Sequence, residues 1–320
     1  MSSPWNPVPH HSSTPAPPDR AHVLTEQRNP RTMNLHTQGV RELVDTIQRE
    51  DRAIADAMER AAPSLTAFIT AIEPGFLRGG RLVYFGAGTS GRLGVLDASE
   101  APPTFQVEPG RIVGLIAGGD ASLRTSSEGR EDELHGAHDA LRSLKLTRDD
   151  SVLGIAAGGT TPYVLGGLAL ARSLATPPVT GLLACTRVEP THADHTIVLE
   201  TGPEVITGST RMKAGTATKL ALNTISTTLM IRAGKVHENL MVDLRATNAK
   251  LRDRAARIVT TLTGLSRDAS FSLLDEAAGS VKSAVAMQCL GVTRIEAERL
   301  LAAHSGRLDR ALMNGPPTPP

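Results

Sequence analysis

Aromatic side chains are nearly missing: five Phe, two Tyr and one Trp make up 2% of the 320 residues. No ladder of stacking rings is available to hold single-stranded nucleic acid, and the core must come from Leu, Ile, Val and Ala. Cysteine is as scarce. Cys185 and Cys289 both sit in apolar runs and read as core thiols in a reducing compartment, not as a disulfide or a metal site. Charge of one sign is lacking too. Thirty-four Lys and Arg against thirty-three Asp and Glu leave a formal charge of +1, so neither nucleic acid nor an anionic membrane is an expected partner. No signal peptide and no apolar run of membrane-spanning length is read in the chain, and a cytoplasmic location is the default expectation.

What is present is a balanced composition, 40% hydrophobic and 21% charged, enough for a main domain with smaller attachments. Residues 1–20 are rich in Pro and Ser, and their adjacent His10 and His11 are too isolated to argue for a metal; they read as a disordered tail. The stretch Leu24 to Leu35 is polar, with Thr25, Glu26, Arg28 and Asn29 close together. It reads as a surface arm, or as an arm crossing to a partner subunit. Helical spacing covers 39–60, and a second helix is expected over 61–72 with Pro63 in its first turn.

From Arg81 a rhythm begins. The apolar run Leu82 to Phe85 passes directly into Gly86-Ala-Gly-Thr-Ser-Gly-Arg. Further apolar runs at 112–117, 152–157, 179–185 and 197–199 follow, with helices expected from Ser126 or Ser127 through Leu141 and over 163–174. Strand, glycine or hydroxyl loop, helix is the pattern of a doubly wound parallel α/β sheet whose ligands gather at the carboxyl ends of the strands. In the first loop, Gly88 and Gly91 let the backbone approach an anion, and Thr89 and Ser90 add hydroxyls ahead of a helix start. The loop lacks both the dinucleotide context and a Walker lysine. Beyond it, Asp97, Ser99 and Glu100 precede Pro102 and Pro103, which argue against an ordinary helix interior.

A second polar cluster spans Thr201 to Lys219. Ser209, Thr210, Arg211, Lys213, Thr216 and Thr218 crowd the start of a helix running to Ile231. They read as caps and a solvated face, or as an anion site, because cations at a helix start call for an offsetting anion. From Arg254 short helical segments at 255–262, 271–277, 280–289, 295–303 and 308–312 suggest a small bundle. The chain then divides into a tail (1–20), an α/β domain with N-terminal helices (21–250), a C-terminal helical bundle (251–313) and a second tail (314–320).

GAGTSGRLGVLDASEAPPTF, LIAGGD followed by SEGRED, GIAAGGTTPYVLGGL, GPEVITGSTRMKAGTATKLALN and KVHENLMVDLRATNAKL, in this order, resemble the N-acetylmuramic acid 6-phosphate etherases of the sugar isomerase superfamily over about residues 24–313. The resemblance implies a doubly wound sugar isomerase fold, a homodimer with sites near the subunit boundary, and a helical C-terminal segment. It implies cleavage of the D-lactyl ether of a sugar 6-phosphate with no metal or cofactor. The family's two functional glutamates correspond to Glu100 in DASE, the proton donor, and Glu131 in EGRED. Chemically, Glu131 would be the base at C2 and Glu100 the acid at the leaving oxygen, needing a raised pKa in a partly desolvated pocket, or the two roles are exchanged. Thr89, Ser90 and Gly91 would hold the phosphate, helped by Thr160, Thr161, Ser209 and Thr210, with Arg211 and Lys213 supplying charge.

Two positions depart from the pattern: Gly158 stands where the superfamily loop has Ser, and His36 where the family has Asp. A regulatory sugar-phosphate sensor akin to glucokinase regulatory protein and an aldose–ketose isomerase are the alternative functions. The shortness of the chain and the DASE and EGRED pair favour the etherase.

Overall fold

The structure is a computed structural model that describes residues 19–125, 128–189, 193–244 and 248–314. Residues 1–18 and 315–320 of the expected tails, the proposed helix start at Ser126 or Ser127, and Arg245 to Thr247 of the last family motif lie outside the described residues.

The helices α1 (Val40–Asp51) and α2 (Ala53–Leu77) lead into β1 (Leu82–Gly86), followed by α3 (Gly88–Phe105), β2 (Ile112–Ile116), α4 (His138–Ser143) and β3 (Ser151–Ile155). Then come α5 (Pro162–Ser173), β4 (Val179–Ala184), β5 (His195–Val198) and α6 (Lys213–Arg232). The C-terminal part is α7 (Ala249–Thr263), α8 (Arg267–Glu276), α9 (Val281–Leu290), α10 (Arg294–Ala303) and α11 (Leu308–Met313). All strand pairs are parallel, in the order β2-β1-β3-β4-β5.

Apolar cores line both faces of the sheet. Phe68, Ile72, Tyr84, Leu153, Leu222 and Ile225 belong to the cluster that packs α2, α3 and α6 on one face. Phe85, Val152, Val164 and Leu168 belong to the cluster under α4 and α5 on the other. Every residue of β1 and β3 is buried, as expected of strands covered on both sides. The C-terminal helices enclose their own cluster around Val259, Val281, Val285 and Leu308.

The chain leaves β1 to build β2 on one side and then returns to build β3 on the other. The switch point lies between the ends of β1 and β3, where Gly86 stands beside Ile155, and this is where a doubly wound sheet opens a crevice.

Three local expectations need correction. The break between the first two helices falls at Arg52, and α2 runs on for 25 residues through Pro63 and Pro74. Its buried stripe of Ile54, Ala57, Ala61, Leu65, Phe68, Ile72 and Phe76 outweighs the hydrogen bonds that the prolines forgo. Likewise α3 continues through Pro102 and Pro103 in its last turn, where two intrahelical bonds are forgone; Gln106, at φ 50°, closes it by donating its N–H to the Pro102 carbonyl at 2.9 Å. Before α4, by contrast, the described residues form only a 3-10 turn at Glu128–Arg130. The Glu131 carbonyl there accepts the Tyr163 N–H at 3.0 Å, so it is drawn onto the start of α5 and lost to a helix of its own.

Candidate active site

Gly88, at φ 53°, turns the chain from β1 into α3. A side chain on Gly91 would sit 2.5 Å from the Gly86 carbonyl and 2.6 Å from Ile116 Cγ1. Only glycine lets the first turn of α3 lie this close to the strand ends. The helix starts behind Ala87, and no side chain caps it. Its first N–H groups and the Thr89 and Ser90 hydroxyls therefore stand at the switch point as an anion cradle.

The neighbouring loop after β3 carries Thr160, exposed, and Thr161, the N-cap of α5, whose side chain makes no capping bond. Glu131 is half-buried, with its backbone pinned to the same helix start. The segment before α6 closes a third side: a Cβ on Gly215 would lie 3.3 Å from the Thr210 carbonyl and 3.5 Å from Thr89 Cγ2. Thus Gly88 to Gly91, Thr160, Thr161, Ser209, Thr210 and Glu131 belong to segments that converge on one end of the sheet.

Two of the expected residues are placed differently. Lys213 is fully buried, its Nζ 3.2 Å from Glu50 Oε2. The start of α6 is filled by the chain's own anion, since the two carboxylate oxygens of buried Glu204 accept the N–H groups of Lys213 and Ala214 at 3.0 and 2.9 Å. Burial pushes the Glu204 carboxyl up, against these bonds and the nearby ammonium. Glu50 also accepts from Arg31 at 2.5 and 2.7 Å and from Asn29 at 2.7 Å. The Arg31 bonds first, then those of Asn29 and Lys213, prevail over burial and hold its pKa at about 2. The offsetting anions that the cations of this segment call for are thus internal, and exposed Arg211 remains the cation open to a ligand.

Glu100 is the other. It lies on the exposed face of α3, well down the helix from the cradle, and not in the desolvated pocket expected of it. Three residues earlier, Asp97 is buried and accepts from Tyr84 at 3.1 Å and from Ser226 at 3.2 Å. Burial raises its pKa above the usual range, against those two bonds. The trio ties α3 to β1 and α6.

The N-terminal arm is the part that sequence reasoning misjudged. Val23, Thr25, Asn29 and Thr32 are buried. The Thr25 carbonyl accepts the Gly208 N–H at 3.1 Å, and Thr32 Oγ1 donates to the Val205 carbonyl at 2.9 Å. The arm therefore lies against its own chain, over the segment before α6. The Thr25 hydroxyl has no partner among the described residues, and a Cβ on Gly158 would come within 3.9 Å of it. The clustered Thr25 and Asn29 were the available signal, but polar residues give no hint that they will be covered. His36 is exposed in a 3-10 turn.

A cavity of 690 Å³ lies elsewhere. Its walls include Arg81, Arg111, Arg232 and Arg307 at the amino end of the sheet, and it contains none of the expected site residues.

A family model described as the glucokinase regulatory protein N-terminal SIS domain matches residues 64–172. An N-acetylmuramic acid 6-phosphate etherase of Synechococcus sp. (strain CC9605) is 48% identical over 296 residues, covering 92% of this chain and 93% of that protein. One from Serratia proteamaculans (strain 568) is 45% identical, covering 91% of this chain and 98% of its own length. Among solved structures, a phosphoheptose isomerase from Neisseria gonorrhoeae is similar at a TM-score of 0.43 and 15% identity, over 59% of this chain and 97% of that one.

Proposed function

We propose a reaction route from one premise: the chain belongs to the N-acetylmuramic acid 6-phosphate etherase family. It is an enzyme that cleaves the D-lactyl ether of N-acetylmuramic acid 6-phosphate with water, giving N-acetylglucosamine 6-phosphate and D-lactate. The route is that of a carbon–oxygen lyase followed by hydration. In the ring-opened sugar the C2 proton lies beside an aldehyde and is acidic enough for a positioned carboxylate. Glu131 takes it. The C3–O bond breaks as Glu100 delivers its proton to the lactyl oxygen, D-lactate leaves, and an unsaturated aldehyde remains. Water then adds at C3 while C2 recovers a proton. Each step couples a proton transfer to the loss of lactate from C3 or to the addition of water there, work suited to two carboxylates.

The observation that carries this reading is the uncapped start of α3 at the switch point, beside Glu131 held on the first turn of α5. The 6-phosphate is held by the N–H groups of Gly88, Thr89 and Ser90 and the Thr89 and Ser90 hydroxyls, with Gly91, whose own N–H is bound to the Ala87 carbonyl, letting the turn lie close. Thr160, Thr161, Ser209 and Thr210 flank it, and Arg211 supplies charge. Lys213 belongs to the internal pair with Glu50 and is left out of the phosphate set. The working unit is a homodimer.

The test is incubation with N-acetylmuramic acid 6-phosphate in heavy-oxygen water. D-Lactate is expected, with label at C3 of the amino sugar. Absence of lactate at high enzyme concentration would overturn the assignment, and label in the lactate would overturn the elimination route.

A further inference from the structure

The cavity at the amino end of the sheet leaves two cations unpaired. Its 690 Å³ is an ordinary size for a small-molecule site. Six cationic side chains line it, Arg81, Arg111, Arg232, Lys235, Arg307 and Arg310. Four of them have carboxylate partners: Asp150 for Arg81 at 2.9 Å, Glu73 for Arg232 at 2.7 Å, Asp243 for Lys235 at 2.8 Å and Asp309 for Arg307 at 2.7 Å. Among the described residues, Arg111 and Arg310 have none, and Glu108, exposed on the same wall, pairs with neither.

Helix ends attract cations for their own sake, and α2, α3 and α6 all end here, at Leu77, beside Gln106 and at Arg232. That accounts for Arg307, whose Nη1 donates to the Arg232 carbonyl at 3.2 Å while Nε and Nη2 donate to Asp309. It accounts for only part of Arg111. Its Nη2 donates to the Phe76 carbonyl, and the Phe76 ring lies 4.2 Å from the guanidinium carbon. The group is thus held in place, with Nε and Nη1 free of partners among the described residues. Gly79 keeps that edge open, since a Cβ there would stand 3.9 Å from Nη1. Burial lowers the Arg111 pKa, against the charge of Asp150, and the Asp150 oxygens are already taken by Arg81 and Thr147. A half-buried guanidinium with a fixed, open edge and no counter-ion calls for an anion from outside.

We infer that this cavity binds a phosphate monoester of a small hydroxylated metabolite, a sugar phosphate or a nucleoside monophosphate, with Arg111 and Arg310 on the phosphate. Two unpaired guanidiniums match the charge of a phosphomonoester, close to two at neutral pH, and the arginine fork suits its oxygens. Inorganic phosphate would leave most of the space empty. The rest of the wall offers Gln106, Ser305 and the unpaired Glu108, donors and acceptors for hydroxyl groups. Arg310 belongs to α11 in the C-terminal bundle and Arg111 directly precedes β2, so the ligand ties the bundle to the sheet. The site is separate from the cradle: α3 opens there and ends here 18 residues on, ~27 Å at the helical rise.

Titration calorimetry on the full chain tests this, with N-acetylglucosamine 6-phosphate and adenosine monophosphate as probes. At least one should bind the wild type with a component that weakens upwards of tenfold in Arg111→Gln and in Arg310→Glu and is unchanged in Ser90→Ala, which alters only the cradle. Arg111 also holds the end of α2, whereas Arg310 is exposed, so the second variant reads binding free of a folding defect. Lactate release without added probe should match the wild type in Arg310→Glu; its loss together with binding would place this wall in the catalytic site and overturn a separate one. Probe binding that neither arginine variant weakens would leave these side chains as caps of helix ends and overturn the site. Inorganic phosphate binding as tightly as the esters would overturn the ester assignment. Absence of lactate from the wild type would undo the etherase reading alone, because binding here is read without turnover.

Discussion

Two helices begin at the ligand end of the sheet behind hydroxyl-rich segments, and their starts are in opposite states. The start of α6 is closed: Glu204 binds its N–H groups and Glu50 neutralises Lys213. The start of α3 is open, with Ala87 at the cap position and no side-chain capping bond. Thr-Ser-Gly-Arg and Ser-Thr-Arg-Met-Lys are hard to tell apart on paper. The carboxylate that makes the difference lies nine residues upstream of Lys213, in a segment that only folding brings back. A hydroxyl cluster at a helix start is therefore evidence of an anion, and whether that anion is a ligand or the chain's own carboxylate is a tertiary question.

The largest expected effect that tests this contrast is on stability. Lys213→Met leaves Glu50 buried without its ammonium partner and should cost about 3 kcal/mol, the low end for a broken buried pair because Arg31 and Asn29 still bind Glu50. Urea unfolding measures it. A variant of wild-type stability that has lost affinity for substrate would instead make α6 the phosphate site.

At α3 the pattern should reverse. Ser90→Ala or Thr89→Ala removes a hydrogen bond to a charged ligand, ~1.5–3 kcal/mol or upwards of tenfold in KM. Stability should move by no more than ~0.5 kcal/mol. Steady-state kinetics and a melting curve on the same preparation separate the two effects. Unchanged KM in both variants would remove these hydroxyls from the site.

Acid titration probes the closed side alone. Glu50 has its pKa lowered from 4.5 to about 2 in the fold. The stabilisation from its ionised form is therefore complete above the unfolded value and is lost as pH falls from about 4.5 to about 2, where the unfolded chain binds the proton first. Urea midpoints measured through that window should fall more steeply for wild type than for Glu50→Gln. Equal slopes would mean that the Arg31, Asn29 and Lys213 contacts do not hold in solution.

The smallest effect concerns Gly158. A Cβ there meets Val23 Cγ1 at 3.7 Å and Thr25 Oγ1 at 3.9 Å, ordinary contacts. Gly158→Ser should fit, pair with the lone Thr25 hydroxyl, and raise stability by up to ~1 kcal/mol. A lowered thermal midpoint would show that the loop and the arm pack more tightly than these distances indicate.

Much of the fold was legible because its signals are local. The first three strands are short apolar runs closed by glycine at Gly86, Gly118 and Gly158, and all five strands appear within two residues of their expected bounds. The C-terminal helices follow from apolar spacing, and in the structure the Ser280 and Thr293 side chains cap α9 and α10. The failures also have physical causes. Pro102 and Pro103 weaken α3 without ending it, since the helix runs three and two residues beyond them to Phe105, and Pro63 is outvoted by a long buried stripe. The arm from Leu24 to Leu35 looks like surface because it is polar, and most of it is exposed; Thr25, Asn29 and Thr32 are buried nonetheless, because backbone carbonyls and Glu50 supply partners for the side chains of Asn29 and Thr32.

For the site, the residue types were readable and their distances were not. Gly88 to Gly91, Glu100, Glu131 and the loop hydroxyls could be chosen from the order and chemistry of their motifs, since glycine, hydroxyl and carboxylate each have a use against a sugar phosphate. Local sequence determined the alternation of strand, loop and helix, and with it the end of the sheet where a ligand belongs. The tertiary structure decided that Lys213 is spent on Glu50, that Glu204 fills the start of α6, and that Glu100 stands exposed on α3 while Asp97 beside it is buried. Those outcomes depend on which segments meet and at what separation, and pair energies and helix lengths act only once the chain has brought them together.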